Sequence, residues 1–156
     1  MQEFFSASRL LRTIHGPESI EEQALSLCDM SARRTGSALA VFYRIPAGRK
    51  SPKWAYQHAS VGSLAAVERL SLDLEEYELI LELDRALVQN DRTGPFPGLL
   101  LHGDARSALA VKVAGPVFHG ILILNHTVPF HYDGDALRFV EELTSLLEFS
   151  PGGNHV

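Results

Sequence analysis

Seven histidines are spread along the chain, and three of them, His119, His126 and His131, fall close together. Imidazoles ligate transition metals and titrate near neutral pH. No pair here has the His-Glu-x-x-His spacing that sets two rings on one helix face. The single cysteine, Cys28, provides no set of thiolates for a zinc site. The three histidines therefore read as surface groups. Trp54, Tyr56 and His58 are a different case. In a strand their alternation puts all three on one face, with Ala55, Gln57 and Ala59 on the other. Polar tips on an apolar wall make a small-molecule pocket, and the same residues can equally fill a core between sheet and helices. Tyr43, on the preceding strand, joins them as a ligand-contact candidate. Asn90, Asp91, Arg92, Thr93 and Phe96, with His102 a little further on, offer amides, charges and a ring to a polar ligand. The interleaved Gly94, Pro95, Pro97 and Gly98 also suit a simple surface turn.

Catalytic signatures are missing. There is no Gly-x-Ser-x-Gly elbow, no Gly-x-x-x-x-Gly-Lys phosphate loop and no Gly-x-Gly-x-x-Gly fingerprint. The adjacent pairs Glu75–Glu76 and Glu141–Glu142 point apart on helices and read as solvated. Cys28 lies in an apolar helical stripe, which suits an inert core thiol. An enzyme would need Asp91 and His58 or His102 gathered into one hydrogen-bonded cleft. The reading is of a protein that is not an enzyme.

The elements that position these residues follow from periodicity. Phe4, Ala7, Leu11 and Ile14 share a helical face over residues 2–14. Pro17 at a first helical position, or Ser19 with Glu22 as a capping box, opens a second helix. That helix carries Ile20, Ala24, Leu27 and Cys28 and ends near Gly36, after Arg33 and Arg34. Residues 37–45 and 54–61 read as strands joined through the loop at Pro46–Pro52. A short helix is expected from Leu64 to Leu70, another from Glu75 to Leu83, a short strand at 86–90 and a helical turn at 99–101. SALAVKV (107–113) and VFHGILILN (117–125) form a hairpin broken at Gly115 and Pro116. The closing helix, with Asp133 or Asp135 as its cap, buries Ala136, Phe139, Val140, Leu143, Leu146 and Leu147. The sum is an α+β domain: a central antiparallel sheet with its N- and C-terminal helices packed on one face. Residues 1–149 read as one domain, and 150–156 as a flexible tail or the start of a linker.

This order of elements resembles a GAF domain. The residues that carry the resemblance are SALAVKVAGPVFHGILILN, Pro129-Phe130, Asp133 and the helix ALRFVEELTSLL, with Gly120 and Phe130 in the family's places. ALVQND (86–91) resembles the short strand that precedes the family's ligand-covering loop. The resemblance spans residues 4–148 and implies a profilin-like sheet of about six strands. It also implies dimerisation on the helix-bearing face and a small-molecule pocket on the opposite face, between Tyr56 and His58 and the segment 90–102. A PAS domain is the nearest competitor, but its long helix sits mid-sheet rather than closing the domain. The family's cyclic-nucleotide signature is broken: His126 follows Asn125 where a lysine is needed, and Gly134 follows Asp133. Cys28 sits on a helix unsuited to bilin attachment. The free methionine sulfoxide reductases of the family use several cysteines. An iron- or haem-linked member stays open because histidines are plentiful, and the residues name no cofactor.

The resemblance implies a sensor whose ligand shifts a dimer interface or an attached or separate output: a kinase, a cyclase or a transcriptional activator. The rival is a dimerisation module with a vestigial pocket. Phe4, Phe5, Leu11, Leu143, Leu146 and Leu147 supply more apolar surface than two one-sided helices need, which implies a homodimer through the terminal helices. The 156 residues suffice for one core, and a formal charge of −5 argues against a nucleic-acid partner. No apolar run approaches a membrane span and no secretory signal is visible, so the expected location is cytoplasmic.

Overall fold

Strand-forming residues dominate Leu39–Arg44 (β1), Ser107–Ala114 (β5) and His119–His126 (β6), and these three strands form the centre of the sheet. The computed structural model describes residues 20–46, 52–114 and 119–148. The expected helix at 2–14, the cap at Pro17 or Ser19, both hairpin turns and the tail lie outside the described residues. So do the side chains of Phe4, Phe5, Leu11 and Leu147. Trp54–Gly62 (β2), Arg69–Ser71 (β3) and Leu87–Gln89 (β4) complete a six-stranded sheet of order β3-β2-β1-β6-β5-β4. Every neighbouring pair is antiparallel.

Among the described residues, two helices cover one face. Ile20–Thr35 (α1) buries Ala24, Leu27 and Cys28, an i, i+3, i+4 stripe. It ends in a left-handed Gly36 (φ 66°), and Ser37 N–H donates back to the Ala32 carbonyl, closing a Schellman motif. Gly134–Glu148 (α3) starts at Asp133, whose Oδ1 accepts from Ala136 N–H at 2.8 Å. Asp135 instead pairs with Arg138. Ala40, Phe42, Leu122, Leu124, Leu109 and Val111 meet the helices in one core. Leu143, expected at a dimer surface, belongs to this core and is buried against the protein's own sheet.

The opposite face is covered by Glu75–Glu82 (α2) and by the segment around a 3-10 turn at Pro97–Leu99. Val41, Tyr43, Ala108, Ala110, Ile121 and Ile123 rise into this second core. The helix expected at 64–70 does not form. Arg69–Ser71 pairs with Trp54–Tyr56 as an edge strand, and tertiary pairing overrides a helix-favouring composition. Among the described residues no helix is long and apolar enough to cross a membrane.

Cys28 lies wholly inside the first core, its Sγ 3.6 Å from the Ala59 carbonyl. Burial pushes its thiol from 9.0 up to about 12. Native protein should therefore hold roughly a thousandfold less thiolate than an unfolded chain at the same pH. A chromogenic disulfide reagent should react with Cys28 only as fast as the domain opens, and at once in denaturant. Rapid reaction in the native state would contradict the packing.

Candidate functional site

The face opposite α1 and α3 is where the resemblance implies a ligand, and the described side chains there pack into a buried core. Tyr43 has no exposed surface, and its hydroxyl donates to the Val67 carbonyl at 2.7 Å. Tyr77 lies beside it in the same core and donates to the Gly98 carbonyl at 2.5 Å. Burial raises the pKa of both phenols, so they remain donors. Ile80, Leu99 and Leu101 occupy the remaining space, with Phe96 packed at the margin.

Four polar side chains, Tyr77, Glu76, Gln89 and Asn125, fasten the covering segment. Glu76 accepts from Gly98 N–H at 2.6 Å, while Tyr77 holds the carbonyl of the same residue. A Cβ on Gly98 would lie 2.6 Å from the Glu76 carboxylate, so a larger residue would make that side chain shift. Gln89 accepts from Phe96 N–H and donates to the Asp91 carbonyl, both at 2.7 Å. Asn125 accepts from Leu101 N–H at 2.7 Å and donates to the Leu99 carbonyl at 2.9 Å. Buried backbone groups that no strand pairs are thereby satisfied. None of the four stands out in the sequence. Asn125 carried the only signal, a polar residue ending the apolar run ILIL. Glu76, read as solvated with Glu75, is instead buried.

The sequence-selected residues are dispersed. β2 bulges at His58: Phe42 faces Ala59, whereas Tyr43 faces Gln57. Trp54, Tyr56 and His58 do share a side, but it is the helix-bearing one. Tyr56 stands opposite Arg44, and His58 meets Phe42 edge-on at 6.3 Å. The bulge also moves Ala59 onto that side, into the first core, away from Ala55 and Gln57. Trp54 stacks under Arg69, at 4.1 Å. Asn90 and Asp91 lie beyond β4, with β1, β6 and β5 between them and β2, about 19 Å at the usual strand spacing. Asn90 accepts from Phe130 N–H, and Asp91 accepts from the Thr93 hydroxyl and N–H, which lower its pKa. His102 accepts from Asp104 N–H. Only Tyr43 and Phe96 of the selected group meet in the covered core. Asp91, His58 and His102 form no hydrogen-bonded cluster, and among the described residues no three metal-ligating side chains come together.

An open concavity lies elsewhere. β3 pairs β2 at residues 54–56 and Gln57 N–H donates to the Glu68 carbonyl at 2.7 Å, but no backbone hydrogen bond joins residues 64–67 to the β2 edge. The gap is a cleft of about 540 Å³ lined by Tyr56, Gln57, Ser60, Ala65, Ala66 and Glu68. Gln57 Nε2 donates to Ser60 Oγ at 3.0 Å across its floor. Tyr56 is 47% exposed beside it. The lining offers a carboxylate, an amide, a hydroxyl and a phenol, and no cationic side chain.

No family model matches the sequence, and no curated protein does. Solved structures do match. The GAF domain of a phosphoenolpyruvate-protein phosphotransferase from Acinetobacter superposes with a TM-score of 0.72 at 16% identity, over 99% of this chain and 95% of that one. Free methionine-R-sulfoxide reductase from Neisseria meningitidis, solved with its substrate, gives 0.77 at 14% identity, over 99% and 92%. The chromophore-binding domain of a bacteriophytochrome from R. palustris gives 0.68 at 12% identity, over 97% of this chain and 62% of that one.

Proposed function

We propose that this chain, which has the GAF-domain fold, is a non-catalytic sensory domain whose ligand is a small polar molecule bearing a cationic group. The observation that carries the reading is the cleft between β2 and the 63–68 connection. Its volume falls in the range of small-molecule sites, and Glu68 is its one charged side chain. An ammonium or guanidinium would meet Glu68, with Gln57, Ser60 and Tyr56 left to orient the remainder. The route outward is physical. Val67, between two cleft residues, holds the Tyr43 hydroxyl, and the preceding residue of β1, Phe42, packs in the core beneath α1 and α3. A ligand that favours one position of the connection therefore biases the sheet beneath the terminal helices. Those helices would pass the bias to a second copy of the chain, or to a kinase, cyclase or transcriptional output, in the cytoplasm. The single domain of 1–149 is part of this reading. A reductase reading lacks support, because Cys28 is the only cysteine and is buried.

A thermal-shift screen of amines, guanidines, carboxylic acids and neutral metabolites tests it. A true ligand at a hundred times its dissociation constant adds about 2.7 kcal/mol. For a domain of this size that is roughly 5–10 °C in Tm. Cationic compounds should give this shift, and Glu68→Gln and Tyr56→Ala should abolish it while leaving the unliganded Tm within about 3 °C, since both positions are exposed. Stabilisation that survives both substitutions would overturn the assignment of the cleft.

A second reading is favoured by one observation, the tyrosine-filled and fastened second core. In it the chain is a dimerisation module that has closed its ligand pocket. It predicts that no compound in the screen stabilises the wild type.

A further inference from the structure

His126 ends β6 and His131 begins the approach to α3, and their rings stack with centroids 3.9 Å apart and planes 25° apart. Both lie against the C-terminus of α1. His131 Nε2 is 2.7 Å from the Thr35 carbonyl, and a carbonyl only accepts, so that nitrogen carries the proton. His126 Nδ1 accepts from Val128 N–H at 3.1 Å, so in the neutral ring the proton sits on Nε2. The same end of α1 is held by Tyr132, whose hydroxyl is 2.7 Å from Ser37 Oγ, which in turn is 2.6 Å from Thr35 Oγ1. Phe130, next to His131, is held at φ 58°, a left-handed conformation that costs a non-glycine residue energy. Its N–H is tied to the Asn90 carbonyl. A strained connection is thus kept in place by two imidazoles, one helix end and one loop.

We infer that the stacked His126–His131 pair is a pH-sensitive latch between the C-terminus of α1 and the connection leading into α3, closed when the pair is neutral and opened when both rings are protonated. A second proton on His126 must go to Nδ1, where it would point at Val128 N–H and break that bond. Two cationic rings in contact repel each other. The charged groups on the surrounding elements do not cancel this. Arg33 is held by Asp29, Arg34 lies over the Phe139 ring, Arg106 adds further positive charge beside the end of β6, and Asp133 is engaged in capping α3. Among the described residues neither ring has a carboxylate within ion-pair reach. Burial, followed by the charge on His131, lowers the pKa of His126 below 6.5, with the Gly36 backbone working the other way. The sign follows. A depressed histidine contributes stability above about pH 6.5, and that stability is lost as the pH falls through the lowered folded value. Opening would release Phe130 from strain and free the ends of both described helices on the first face.

Amide hydrogen exchange on the whole chain tests this at Ser37, Val128 and Phe130, corrected for intrinsic rates. Opening should rise roughly tenfold between about pH 7.5 and about pH 5.5 in the wild type. His126→Asn removes titration while its Oδ1 can still accept from Val128 N–H, and it should respond less than about threefold. A folded His126→Asn protein with the wild-type response, or a wild type with none, overturns the latch. If that variant fails to fold, His131→Gln, whose Nε2 can still donate to Thr35, is read in the same way. NMR titration of the wild-type rings gives an independent check: the latch requires two coupled steps, and two independent, coincident steps would overturn it.

Discussion

Asn125→Leu should destabilise the domain by about 3–5 kcal/mol in urea denaturation, although the two side chains are nearly isosteric. Asn125 is buried at the end of β6 and forms both bonds that join the sheet to the covering segment at Leu99 and Leu101. Leucine fills the same volume but leaves Leu101 N–H and the Leu99 carbonyl buried without partners. Each orphaned group costs about 1–3 kcal/mol, which exceeds any gain from the more apolar side chain. Amides of residues 96–101 should lose exchange protection before the rest of the domain does. A loss under about 1 kcal/mol would mean that water already reaches this layer, and the second core would then not be the dry, closed face described above.

Gly120→Ala should cost about 3 kcal/mol or more. Gly120 pairs with Arg44 across the β1–β6 ladder, and a Cβ there would stand 1.9 Å from the Tyr43 carbonyl oxygen and 3.1 Å from the Arg44 Cα. These are backbone atoms, so a rotamer change cannot relieve the clash; the central strands must separate. Gly103→Ala is the matched control, because a Cβ there meets nothing within 4 Å. It should change stability by less than about 0.5 kcal/mol. Equal effects at the two sites would contradict the register of the central pair.

The strands were legible because their chemistry is local. The apolar runs at 39–44, 107–114 and 119–126 and the cap at Asp133 depend on nearest neighbours. What failed depends on partners far along the chain. Trp54 to Val61 alternates so regularly that nothing in it marks His58 as a bulge, which exists only because β1 pairs on both sides of it. Residues 64–70 are built of helix formers, but the edge of β2 recruits Arg69–Ser71. Glu76 looked like half of a solvated pair until Gly98, distant in sequence, came within hydrogen-bond reach. Tyr43 and Tyr56 read alike, yet one is sealed in the core and the other is half exposed. The face opposite the helices was correctly placed by the order of elements. Its being filled was not legible, because side-chain volume on three separate segments decides it.

The proposed ligand site is the cleft beside β2, not the space beneath the segment 90–102. Backbone amide chemical-shift mapping with the most stabilising amine of the thermal screen tests it directly. Saturable shifts are expected at Gln57, Ser60, Ala65, Ala66 and Glu68, with weaker changes relayed to Tyr43 and Phe42. Shifts confined to residues 90–102, or an absence of saturable shifts with every amine, would contradict it.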